Sequence, residues 1–99
     1  MTSVKFFADG FRISGHSSQS CDDFDGKLVC AAVSSAAFCA ANTIIEIIGD
    51  ECEAQVDDAL MEIRVKGASE KSKAVLEGLK LHLKELSEQY GNNINFTEV

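Results

Sequence analysis

A histidine and a cysteine are the two residues of this chain whose types and order suit covalent catalysis. His16 ends a Gly-His pair, and Cys30 lies in the apolar run Leu-Val-Cys-Ala-Ala-Val-Ser. A thiolate is a strong nucleophile, and a neighbouring imidazole can take the thiol proton. We predict a helix that begins at Val29 or Cys30, whose macrodipole would favour the thiolate. The other histidine, His82, is expected at the edge of the packed face of a second helix, so His16 has few rivals as the base.

Ser34 follows Cys30 by four residues, which places both on one helix face and lets the hydroxyl bond near the thiol. The remaining cysteines are Cys21, Cys39 and Cys52. No Cys-x-x-Cys spacing occurs, so the sequence predicts neither a metal site nor a cofactor. We expect Cys39 and Cys52 to be small core residues.

A polar, acidic segment, residues 17–27, separates the histidine from the cysteine. Its composition predicts a mobile loop that closes over a bound ligand, although a tolerated surface insertion is the alternative. Phe24 would pack on apolar groups of that ligand. The acidic residues of the segment, Asp22, Asp23 and Asp25, would meet basic groups of the ligand.

The elements that must position these residues follow from hydrophobic periodicity and turn signals. The predicted strands are residues 4–8, 11–16, 51–57, 60–66 and 93–99, and the predicted helices are residues 29–48, ended by Gly49, and residues 69–90, capped by Ser69. The order ββαββαβ predicts a two-layer α+β domain over residues 1–99, with a mainly antiparallel sheet and two helices on one face.

The first predicted helix is apolar on most sides. On its main face we expect Val33, Ala37, Ala40, Ile44, Ile47 and Ile48. We interpret it as a buried helix rather than a membrane span because it also carries polar residues, among them Asn42 and Glu46. One small sheet cannot cover so much apolar surface, which predicts a homodimer.

The net charge of −7 argues against direct nucleic-acid binding and fits a basic partner or plain solubility. The N-terminal residues lack the apolar core of a signal peptide, so we expect a cytoplasmic protein.

The Gly15-His16 pair and the run from Leu28 to Ser34 together resemble the ribosomal-processing cysteine proteases. The resemblance implies a homodimeric protease that removes an N-terminal extension from a large-subunit ribosomal protein, cutting after apolar residues. It implies His16 as general base, Cys30 as nucleophile, and Ser34 and Gly15 as supporting residues.

One position departs from the family pattern, because the acidic residue expected three places before the cysteine is Lys27 here. Asp25 would replace that acid after a two-residue shift, or Lys27 would stabilise the thiolate directly. Two other classes of function remain open: a non-catalytic dimeric ribosome-assembly module of the same fold, and a thiol redox sensor that uses Cys21 with Cys30.

Overall fold

The predicted two-layer α+β architecture is confirmed in a computed structural model, which describes residues 1–15 and 24–99. In chain order the elements are β1 (Thr2–Phe7), β2 (Gly10–Ser14), α1 (Phe24–Asn42), a π-helix (Thr43–Ile48), β3 (Cys52–Asp57), β4 (Leu60–Val65), α2 (Glu70–Gln89) and β5 (Ile94–Glu98). The sheet order is β3-β4-β2-β1-β5. The β1–β5 pair is parallel and the other pairs are antiparallel.

Strand register gathers the apolar side chains onto the sheet face that carries the helices. Phe11 of β2 lies opposite Phe6 on one side and opposite Ile63 on the other, and all three are buried. Cross-strand neighbours share a face, because side chains alternate along each strand. The strands predicted from alternation are confirmed, with ends that shift by one or two residues.

Helix α1 begins at Phe24, five or six residues before the predicted start. Residues 24–27 are thus helical and do not belong to a loop. Asp25 lies in the first turn, where a carboxylate is favourable, and Gly26 is buried. A glycine lowers helix propensity, which is why the sequence pattern understated the helix. The predicted end is confirmed, since Gly49 follows the π-helix with a left-handed φ of 85°.

The packed face of α1 is narrower than the sequence predicts. Val33, Ala37 and Ile44 are buried, as expected. Ile47, however, is 80 % exposed, so it does not share the buried face with which the sequence analysis grouped it. The π-helix makes i→i+5 bonds, which changes the angular phase of the residues after Asn42 relative to an α-helix.

The cysteine predictions have a mixed outcome. Cys39 is exposed, so its assignment to the core was wrong: it precedes Ala40 of the packed face by one residue, about 100° around the helix. Cys52 is half-buried at the start of β3 and packs against the core. Burial, followed by the charge of Asp50, raises the pKa of the Cys52 thiol.

Among the described residues, one helical stretch, Phe24–Ile48, is long and apolar enough to cross a membrane. A third of its most apolar window is buried inside the fold, where the Val33 face packs on the sheet. That packing accounts for part of its apolar character and leaves apolar side chains on its outer sides.

Helix α2 is anchored at its first turn by a carboxylate from outside the helix. Ser69 caps the helix as predicted, accepting from the Ser72 N–H. One oxygen of Asp50 accepts from the Ser72 hydroxyl at 2.6 Å, the Ser69 hydroxyl at 2.7 Å and the Ser69 N–H at 2.9 Å. These donors stabilise the carboxylate and lower the pKa of Asp50, the Ser72 hydroxyl contributing most. Asp50 therefore joins the end of the π-helix to the start of α2.

Replacing Ser72 by alanine is expected to lower the free energy of unfolding, because it removes a buried hydroxyl that bonds an ionised group. A lowered folded-state pKa stabilises the protein above the ordinary value of 3.8, and this contribution is lost as the pH falls through the folded-state pKa. The difference in the free energy of unfolding between wild type and Ser72→Ala should therefore become smaller in acid. Urea unfolding between about pH 7 and about pH 3 measures it.

The matched control is Ser87→Ala, whose hydroxyl bonds an exposed carbonyl in the last turns of the same helix. A Ser72→Ala variant as stable as this control at about pH 7 would contradict the anchoring role of Asp50.

Candidate active site

Cys30 lies half-buried in the wall of a cavity of about 150 Å³. Three parts of the chain build the cavity: one side of α1, the end of β2 and the β3–β4 hairpin. The lining residues are Ile13, Gly15, Cys30, Ser34, Phe38, Val56, Asp57, Ala59, Leu60 and Met61. The described lining is mostly apolar, with a thiol, a hydroxyl and one carboxylate. Such a site can seat an apolar segment beside a nucleophile.

The residues that α1 contributes to the cavity are explained by their spacing along the helix. Cys30, Ser34 and Phe38 are four residues apart in turn, so they lie on one side of α1. The structure thus brings the predicted nucleophile and the predicted supporting hydroxyl to the same cavity. Their catalytic roles remain a prediction.

Gly15 closes the cavity where β2 leaves the sheet. Its N–H donates to the Ala59 carbonyl at 2.9 Å, and its φ is 83°. A Cβ at this position would come within 2.6 Å of the Met1 carbonyl oxygen. The backbone conformation and the close approach both favour glycine here.

The predicted base and part of the predicted substrate segment lie outside the described residues: His16, Asp22 and Asp23, together with Cys21. Phe24 and Asp25 are described and begin α1, so their assignment to a loop was wrong. Phe24 is 71 % exposed. Neither residue lines the cavity as the structure describes it.

The predicted source of thiolate stabilisation was also wrong. Cys30 is the seventh residue of α1, and the field of a helix N-terminus falls off within the first turn. Residues 24–27, which the sequence pattern assigned to a loop, form the first turn of the helix. The helix N-terminus therefore gives no argument that Cys30 is reactive.

Sequence reasoning missed most of the cavity wall. Phe38 could have been found, because it continues the four-residue spacing that linked Cys30 to Ser34. Val56, Leu60 and Met61 carry no local signal. They reach the cavity because β4 pairs with β2, which places the β3–β4 hairpin beside the end of β2.

Helix α2 holds His82 on an exposed position next to buried Leu83, at the edge of the packed face. This agrees with its expected place as a boundary residue, and it does not line the Cys30 cavity.

One family model matches nearly the whole chain, and solved structures share its fold. The family model of cysteine protease Prp matches residues 1–95. The chain is similar to the essential ribosomal processing protease Prp of S. aureus with a covalently linked product peptide, with a TM-score of 0.88, 21% identity and 100% of both chains covered. The same protease with a substrate peptide gives a TM-score of 0.83 at 18% identity, covering 99% of this chain and 97% of that one.

A protein of Streptococcus mutans gives a TM-score of 0.87 at 20% identity, covering 100% of this chain and 94% of that one. A comparison with curated protein sequences returns no match. Identities this low show a shared fold, whereas the family model shows descent along nearly the whole chain. The chain therefore belongs to the Prp family of cysteine proteases.

Proposed function

We propose that this protein removes an N-terminal extension from a large-subunit ribosomal protein, with Cys30 as nucleophile and His16 as general base. The observation that carries the proposal is the cavity in which Cys30, Ser34 and Gly15 meet. His16 follows Gly15 directly in the sequence. A thiol in a small apolar cavity beside the residue that precedes a histidine has the parts that nucleophilic catalysis needs.

The reaction proceeds in two steps. His16 takes the thiol proton, and the Cys30 sulfur attacks the scissile carbonyl carbon to form a tetrahedral intermediate. The carbon–nitrogen bond then breaks, and the imidazolium returns the proton to the leaving amine, which becomes the new N-terminus of the ribosomal protein. The extension remains as a thioester on Cys30 until water hydrolyses it. His16 takes a proton from the water, whose oxygen attacks the thioester carbon; the carbon–sulfur bond breaks, the extension leaves as a carboxylic acid, and the Cys30 sulfur takes the proton back from the imidazolium.

The relatives support this assignment. The S. aureus protease is described as a ribosomal processing protease, and it was solved both with a substrate peptide and with a covalently linked product peptide. A covalent link to a product is what a nucleophilic mechanism leaves. The net charge of −7 suits a basic ribosomal substrate. We place the reaction in the cytoplasm, where thiols stay reduced.

The test is direct processing of the substrate. The purified protein, mixed with the extended large-subunit ribosomal protein of its own organism, should shorten that protein by the mass of the extension. The same ribosomal protein made without its extension is the control and should keep its mass. If the extended protein stays intact beside a folded enzyme, the assigned substrate is wrong.

We propose further that the active form is a homodimer, built on an apolar face formed by Phe38, Ile45 and Val56. These side chains are 45, 37 and 54 % exposed. Phe38 lies on α1 and lines the same cavity as Val56, and Ile45 lies in the π-helical continuation of α1. The cavity and this face are therefore adjacent, so a second copy would cover apolar surface next to the thiol.

Light scattering at micromolar concentration should give twice the chain mass of 10.7 kDa. Ile45→Glu should shift the protein toward the monomer, because it places a charge in the apolar face. Leu81→Glu, an equally drastic change at an exposed position of α2, should remain dimeric. A monomeric wild-type protein, or equal effects of both variants, would rule out this interface.

A further inference from the structure

The turn between β3 and β4 contains a strained residue beside the thiol cavity. Among the described residues other than glycine, Ala59 is the only one with a positive φ, at 61°. This left-handed conformation is unfavourable for alanine, and residues held in it often lie at functional sites. Ala59 lines the same cavity as Cys30.

The backbone of Ala59 makes a hydrogen bond that extends the ladder between β2 and β4. Its carbonyl accepts the Gly15 N–H at 2.9 Å, across the end of the β2–β4 ladder, where Ser14 pairs with Leu60. The bond holds the β2 end against the hairpin just beyond the last paired residues. Gly15 is thereby held in the wall of the cavity that Cys30 also lines.

We propose that Ala59 is a positioning residue: its left-handed backbone aims its carbonyl at Gly15 and so sets the distance between the β2 end and the thiol. This inference rests on the proposed function, in which the chain continues from Gly15 to the base. A bond that fixes one wall of a reactive cavity acts on the chemical step more than on binding, because small misplacements of reacting groups are costly in rate.

Backbone preference provides the test. Ala59→Val disfavours the left-handed region, since β-branched residues rarely adopt it, whereas Ala59→Asn and Ala59→Gly accept it. The matched control is Ala8→Val, the same change in the turn between β1 and β2, where φ is not positive. For each variant we would measure kcat and KM for peptide cleavage, their pH dependence, and thermal unfolding.

We expect Ala59→Val to lower kcat per folded molecule about 10-fold or more with little change in KM. The asparagine and glycine variants should rescue kcat, and Ala8→Val should resemble wild type. A folded Ala59→Val with wild-type kcat and pH profile would overturn the proposal. Equal losses of kcat in all three Ala59 variants would overturn it too, since they would follow from the changed side chain rather than from the backbone conformation.

A second readout separates this proposal from the proposed function. Alkylation by iodoacetamide can be mapped at Cys30 and at Cys39, and exposed Cys39 on the same helix serves as an internal reference. The ratio of the two rates should change in Ala59→Val and stay near wild type in the asparagine variant. If wild type cleaves nothing, the protease assignment fails, and this ratio still decides whether Ala59 shapes the cavity: an unchanged ratio overturns the positioning role.

Discussion

Replacing Cys30 by alanine is expected to reduce cleavage of the ribosomal substrate by about 10³-fold or more, because no other group in the mechanism can form the thioester. The fold should survive. Cys30 is half-buried in the second turn of α1, and alanine is the best helix former. Initial rates measured by mass spectrometry, with circular dichroism on the same samples, check both parts.

The matched control is Cys39→Ala, which removes a thiol from the same helix on an exposed position. It should cleave at the wild-type rate. Loss of activity in both variants would point to a structural effect on α1, and retained activity in Cys30→Ala would remove it from the mechanism.

Replacing Gly15 by alanine is the second change with a large expected effect. The left-handed φ of 83° costs an alanine about 1–2 kcal/mol, and its Cβ would also meet the Met1 carbonyl oxygen at 2.6 Å. The β2 end must then move away from Met1 and shift the cavity wall beside Cys30. We expect kcat/KM to fall about 10²-fold, with the melting temperature lowered as well.

Gly49→Ala separates the cost of the left-handed backbone from the effect of the close contact with Met1. Gly49 has nearly the same φ, 85°, but nothing lies within 4 Å of an added Cβ, and it ends the π-helix away from the cavity lining. It should lower the stability by the backbone cost alone and leave kcat/KM unchanged. Equal losses of kcat/KM in both variants would show that the Gly15 effect is one of stability only.

The sequence predicts the architecture well because its strands alternate and its turns carry recognisable residues. Ser69 as cap and Gly49 as the end of the first helix are found where the local chemistry puts them. The start of α1 was missed because Phe24, Asp25 and Gly26 resemble a loop in sequence. Tertiary packing nevertheless buries Gly26 within the helix.

Some residues of the candidate site could be predicted from the sequence, and others could not. The link between Cys30 and Ser34 follows from helical spacing, and so would that to Phe38. The hairpin residues follow from the pairing of β2 with β4, which no local pattern encodes. The strained backbone of Ala59 had no signal either, because alanine is not a residue that a left-handed turn favours.

The exposure of Ile47 and Cys39 shows a limit of predicting burial from helical periodicity. A helical-wheel argument assumes a constant 100° per residue, and the π-helix breaks that assumption after Asn42. Cys39 is exposed because the packed face of α1 is narrow. Its neighbour Ala40 occupies that face, and in a helix rich in alanine an apolar residue type alone does not show which side is buried.

The central claim, that Cys30 is the nucleophile, is tested most directly by the acyl-enzyme itself. The wild-type protein is mixed with excess extended ribosomal protein, quenched in acid within the first turnover, and analysed by tandem mass spectrometry. The account predicts one extension peptide per chain, bound as a thioester to Cys30 and absent from the Cys30→Ala variant. An acylated Cys21, Cys39 or Cys52 in its place, or product formation by Cys30→Ala, would contradict it.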